Sequence, residues 1–164
     1  MKISSKFQRL SSCILATIVL SLSSAAWAHG DVTPQAVDTA ALPVLGKVWK
    51  AENPYRGNPA AIKVGTSAFN QNCARCHGLD AISGGIAPDL RRLDNECATL
   101  KDLKKQASCL REMDVFFAGK FQHGVTRNGA VYMPPFEGIL NQEAAWAIKS
   151  YLETRREKPL ASAK

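Results

Sequence analysis

Residues 70–80 read NQNCARCHGLD. Cys73 and Cys76 stand three positions apart, and His77 follows the second thiol directly. Four uses of such a group compete: a plain disulfide, a zinc corner, a thioredoxin-like redox pair, or the seat of a covalent cofactor. The rest of the chain separates them.

Zinc needs four ligands. His29 and His123 are isolated, and no second ligand pair has a typical spacing. A thioredoxin-like pair needs a βαβ setting, and no strand pattern precedes Cys73. Cys-x-x-Cys-His is the attachment pattern of a c-type haem. Each thiol closes a thioether with one vinyl group, and the next side chain comes beneath the ring as an iron ligand. The expectation is one covalent haem c on Cys73 and Cys76, with His77 on the iron.

The iron then needs a sixth ligand or stays open. Met133 lies in YMPPF, 56 residues beyond His77, on backbone held by Pro134 and Pro135. Met113 lies in REMDVFF, where a core methionine on a helix is the plainer reading. Met133 is therefore the expected ligand. Histidine–methionine ligation raises the potential and suits electron transfer. Pro88, eleven positions after His77, offers a carbonyl to the free ring N–H of that histidine. Arg91, Arg92 and His123 could meet a haem propionate, or could belong to a solvated surface.

The first residues bear on where such a cofactor is attached. MKISSKFQR carries Lys2, Lys6 and Arg9, then CILATIVLSL is apolar, then Ala26-Trp-Ala28 closes. Basic start, short apolar centre and small-residue end make a secretory signal peptide over 1–28, cut after Ala28. The apolar run is too short for a membrane anchor, which needs about 20 residues. Removing 28 of 164 residues leaves 136, one domain by length, and takes the net charge from +7 to +4. No Lys/Arg block interleaved with aromatics points to nucleic acid. Export sets the location as the periplasm and leaves four cysteines.

Residues 29–58 read as an irregular extension broken by Pro34, Pro43 and Pro54, with Trp49 as an anchor. Residues 59–158 form the domain, and 159–164 a polar tail. Asn58-Pro59 opens a helix over about 60–75. Residues 78–95 are loop. Thr99 with Asp102 resembles a helix start. DVFFAGKFQHG is a further short helix, and residues 125–138 are loop. NQEAAWAIKSYLETRRE is the clearest helix, capped by Asn141, with Ala144, Ala147, Ile148, Tyr151 and Leu152 on one stripe. No segment alternates like a strand. The fold class is all-α, and loops this long need something to wrap around.

These residues resemble the class I c-type cytochromes over about 60–155: Gly65 and Phe69 ahead of Cys73-Ala-Arg-Cys76-His77, then Ala87-Pro88-Asp89-Leu90, Met133-Pro134-Pro135-Phe136, and Ile148-Lys-Ser-Tyr151-Leu152. The resemblance implies a cytochrome c-like fold whose first and last helices cross at Gly65, Phe69, Ile148 and Tyr151. HGDVTPQAVDT from His29, the haem-motif stretch and the insertion with Cys97 and Cys109 are similar to the PedF-type periplasmic cytochromes. That likeness implies an electron carrier and not an enzyme, with a PQQ-dependent (quinoprotein) alcohol dehydrogenase as donor. A terminal oxidase or a further cytochrome would accept. In an oxidising compartment Cys97 and Cys109 are expected to bridge. CATLKDLKKQASC then cannot be one straight helix, because twelve steps span about 18 Å and a disulfide needs Cα atoms within about 7 Å. Two alternatives stay open: a haem sensor or peroxidase-like enzyme with an open sixth position, and a cytochrome fixed in a dehydrogenase or oxidase complex.

Overall fold

The computed structural model describes residues 33–157. The expected signal peptide with its cut after Ala28, His29 and the tail at 159–164 lie outside them.

Asn58 caps α1 (Pro59–Asn72), its side chain accepting from the amides of Ala60 and Ala61. The chain runs on through Cys73 into the single turn α2 (Ala74–His77). Short 3-10 turns at Leu79–Ala81 and Leu90–Arg92 interrupt the loop that follows. After α3 (Asn95–Ala98), α4 spans Leu103–His123. Its cap is Asp102, which accepts from the amides of Lys104 and Lys105. The expected short helix at DVFFAGKFQHG is thus the second half of one 21-residue helix. The added residues are mostly strong helix formers (Leu, Lys, Gln, Ala, Arg, Glu), and no proline interrupts them.

A second departure is β-structure where only loop was expected. β1 (Val125–Arg127) and β2 (Ala130–Met133) form an antiparallel hairpin. Asn128 and Gly129 turn it, both with positive φ, the Asn-Gly pairing such turns favour. Neither strand alternates apolar with polar, because the hairpin stands largely in solvent. The last helix, α5 (Gln142–Thr154), starts at Asn141, which accepts from the amide of Ala144.

The core forms where α1 meets α5. A Cβ built on Gly65 would lie 1.9 Å from the Ala147 carbonyl oxygen, so only glycine lets the two backbones come this close. Phe69 packs on Tyr151 with ring centroids 5.2 Å apart. Eleven of the thirteen residues of α5 are buried, so it is covered on every side and not along one stripe.

Much of that cover is residues 33–58, which contain no helix or strand. Backbone of this kind needs other acceptors when it is covered, and buried side chains supply them. Glu143 accepts from the Leu45 amide at 2.7 Å, Gln142 from Lys50 at 3.2 Å, Asn72 from Gln35 at 2.6 Å, and Asp114 from Asn53 at 2.9 Å. Trp49 seats the segment between Phe121 and Trp146, at centroid distances of 6.1 and 6.3 Å.

Beneath this strap lies a buried charge cluster that the sequence did not announce. Lys149 is fully buried. Its Nζ lies 2.6 Å from Asp94, 2.7 Å from Glu153 and 3.5 Å from Asp114. Arg156 donates twice to Asp94, at 2.6 and 2.8 Å. Arg56 donates to Asp114 at 2.7 Å and to Glu153 at 3.1 Å. Three cations thus meet three carboxylates. Burial raises the Asp94 pKa, but the Arg156 hydrogen bonds and the Lys149 charge outweigh it and hold the carboxyl down at about 2.

Two outcomes are expected. Gly65→Ala must part α1 from α5 and should cost about 2–3 kcal/mol, read from the denaturant midpoint. Asp94 has a folded pKa below its unfolded one, so its stabilisation is present above about pH 4 and fades as pH falls toward 2. Unfolding at pH 6 and pH 3 should differ less in Asp94→Asn than in the parent protein.

Candidate functional site

The fold places the two thiols and the histidine where α1 runs out. The Cys73 amide still donates to the Phe69 carbonyl at 2.8 Å, and the His77 amide to the Cys73 carbonyl at 2.9 Å. The helical hydrogen bonds therefore pass through the attachment motif itself. Cys73 and Cys76 form no disulfide, and both are half-buried. Burial pushes the Cys73 thiol up. His77 Nδ1 lies 2.9 Å from the Pro88 carbonyl oxygen. Donation from Nδ1 to that carbonyl leaves Nε2 as the ring's free lone pair.

Met133 closes β2 and is followed by Pro134, Pro135 and the buried Phe136. Two locks hold this segment. The Phe136 amide donates to the Phe121 carbonyl at 2.9 Å, and the two rings stack at 5.1 Å. Met133, Cys73, Ala74, Leu90 and Leu93 all pack on the same cluster of buried side chains, each remaining partly open. One thiol of the motif, Cys73, and the Met133 thioether thus pack on the same buried cluster. With Cys76 and His77, that set matches the demands of haem c: two thioether anchors, one imidazole, one sulfur and an apolar bed. Met113 lies within α4 and is not among the residues packed on that cluster.

The basic candidates each have an acidic neighbour. Arg91 donates to Asp89 at 3.0 and 2.7 Å and holds that carboxyl below the usual range through those hydrogen bonds. Arg92 pairs with Glu157 at 2.6 Å. His123 is exposed, 3.9 Å from the Glu137 carboxylate. Cys97 and Cys109 are joined, with Cα atoms 5.4 Å apart. α3 stops at Ala98, the chain reverses, and Gln106 closes the reversal by donating to the carbonyls of Ala98 and Leu100 at 3.2 Å. The bridge ties the loop that carries Asp94 to α4.

Sequence reasoning missed the partners that hold the site from behind. Asn128-Gly129 was a legible sign of the hairpin. Gln142 and Glu143 gave no sign, since polar residues in a first helical turn are ordinarily exposed.

Comparison with known proteins gives the family. The family described as cytochrome c oxidase, cbb3-type, subunit III matches residues 60–152. The chain is 52% identical over 139 residues to a cytochrome c550 of Pseudomonas aeruginosa, covering 82% of this chain and 86% of that protein. It is 38% identical over 116 residues to the quinohemoprotein alcohol dehydrogenase ADH IIB of Pseudomonas putida, covering 69% of this chain but 14% of the dehydrogenase. A second dehydrogenase of that organism, ADH-IIG, is 31% identical over 96 residues and is covered over 11% of its length. No solved structure matches the chain significantly.

Thiol counting tests the cysteine assignment within residues 33–157. Protein recovered from its producing cells and denatured without reductant should alkylate at no cysteine. After reduction it should alkylate at two, both on the Cys97–Cys109 segment. Alkylation at Cys73 or Cys76 would contradict the assignment.

Proposed function

Because the chain belongs to this family of c-type cytochromes, we propose that it is a soluble, periplasmic, single-haem electron carrier. Cys73 and Cys76 would anchor the haem, and His77 and Met133 would hold its iron. The observation that carries this reading is the His77–Pro88 contact, which fixes one ring nitrogen and leaves the other free. Met133, on proline-held backbone, packs on the same buried cluster as Cys73.

Haem c, when bound, supplies a reversible one-electron iron couple. The chain's own residues tune it and insulate it. The Pro88 carbonyl fixes the ring orientation of His77 and raises its basicity as a ligand. Pro134 and Pro135 limit the freedom of Met133 to leave. Phe69, Phe121, Phe136 and Tyr151 keep water from the surface behind the site. With His77 and Met133 both holding the iron, no position would remain for a substrate, and the bound haem would serve one-electron transfer alone.

The electron donor is a quinoprotein alcohol dehydrogenase, and the electrons go on toward a terminal oxidase. Support for the donor comes from the two quinohemoprotein alcohol dehydrogenases, part of whose length is similar to this chain. In those proteins a region like this one belongs to the same polypeptide as the dehydrogenase. A free carrier of the same build suits a dehydrogenase that lacks such a region. Cleavage of the signal peptide after Ala28 delivers the chain to the compartment where such a pair would meet. No helix among the described residues is long and apolar enough to cross a membrane.

Optical spectra test the ligation. The oxidised protein should show the weak red absorption of sulfur-ligated ferric iron, and the reduced protein should resist carbon monoxide. Met133→Ala should lose the band, bind carbon monoxide and fall in reduction potential. Stopped-flow mixing with an alcohol-reduced quinoprotein dehydrogenase should reduce the carrier at a rate that alcohol oxidation can use. Absence of that reduction would leave the carrier without this donor.

A further inference from the structure

Gly124 sits between α4 and β1, and its position bears directly on Met133. Its φ is +66° and its ψ −158°, a combination that is essentially restricted to glycine. Its amide closes α4 by donating to the Lys120 carbonyl at 2.9 Å. Its open side faces the methionine segment. A Cβ built there would lie 2.3 Å from the Met133 carbonyl oxygen, 2.8 Å from the Pro134 carbonyl carbon and 2.8 Å from the Pro135 nitrogen. All three are backbone atoms of a segment that two prolines stiffen, so no side-chain rotation could relieve the contact.

The register of the hairpin adds to this. Val125 pairs with Met133, but Thr126 pairs with Val131, so Tyr132 is one residue in excess. The bulge sits beside Met133. Val131 and Tyr132 both point to solvent, 65% and 66% exposed, while Met133 turns to the core cluster. Four residues therefore lie between the end of a rigid helix and the hairpin turn, and Gly124 is the first contact of that arm with the returning strand.

We propose that Gly124 is the positioning residue for the Met133 ligand. By lacking a side chain it lets the Met133–Pro135 backbone seat directly against the end of α4, so the place of the sulfur is set by the helix and not by the exposed hairpin. This rests on Met133 being the axial ligand, as proposed above. A side chain at 124 lifts the whole Met-Pro-Pro segment away from the core, which a mutation at the tip of the hairpin does not.

Gly129 supplies the control. It lies on the same hairpin, also has positive φ (+77°), and a Cβ there would meet nothing within 4 Å. Gly129→Ala therefore adds backbone strain without lifting the segment.

The test compares the parent, Gly124→Ala, Gly129→Ala and Met133→Ala as haem-loaded proteins, each well below its unfolding temperature. Readouts are the red sulfur–iron band when oxidised, carbon monoxide binding when reduced, reduction potential, and covalent haem content by mass. In Gly124→Ala the band should be largely lost, carbon monoxide should bind and the potential should fall toward that of Met133→Ala, with haem content unchanged. Gly129→Ala should match the parent in all four. A Gly124→Ala protein that keeps the band overturns the proposal. So does a Gly129→Ala protein that loses it equally, because general weakening of the hairpin would then suffice. If Met133→Ala itself keeps the band, the ligand assignment fails instead, and the two failures are told apart. Should Gly124→Ala not accumulate, the double variant Gly124→Ala with Met133→Ala decides. Released from holding a ligand, the segment can move aside, so the double variant should accumulate as Met133→Ala does. Its failure to accumulate would show that the fold, not the ligand, needs Gly124.

Discussion

Two helical backbones touch at Gly65, where the Ala147 carbonyl occupies the space a side chain would take. Most of the molecule hangs from that contact. α1 carries the two thiols and His77 at its end, so the approach of α1 to α5 decides where the attachment motif sits. Phe69 and Tyr151 pack together on the same two helices. The surface that receives a flat apolar ring is the outer face of the cluster this packing creates.

A helix as fully covered as α5 must satisfy polar groups on several sides. The first turn does so by accepting backbone donors from the strap, through Gln142 and Glu143. The later turns do so through Lys149 and Ser150, which meet Asp94, Asp114, Asn53 and the Tyr55 carbonyl. The charge cluster draws its members from the strap, the loop after the histidine, α4 and α5. Replacing one partner would strand the others in a dry interior, where an uncompensated charge costs several kcal/mol. Such a cluster adds little net stability by its Coulomb energy, but it specifies one arrangement of four chain segments. The Cys97–Cys109 bridge acts on the same loop by constraining the unfolded chain.

The two expected iron ligands are held in different ways. His77 belongs to a helical turn and is oriented by one carbonyl. Met133 belongs to an exposed hairpin and owes its inward direction to what lies behind it: a glycine, two prolines and a phenylalanine stack. This asymmetry places the more easily displaced ligand on the element with the least core of its own.

The order of chemistry along the chain was legible without coordinates. Cys73, Cys76 and His77 declare themselves by spacing, because covalent attachment demands neighbours in sequence. Asn58 and Asn141 cap helices through side chains two or three residues from the amides they bind, and the stripe on α5 follows helical period; the start expected at Thr99 falls instead at Asp102, because Thr99 ends α3. Local chemistry of this kind is encoded locally. The strap's acceptors and the buried Lys149 cluster were settled only in three dimensions. The strap's acceptors and the Asp94–Lys149 pair depend on partners 37 to 98 positions away. Residue type alone does not report whether a charge meets water or another charge; the packing of α1 on α5 decides that.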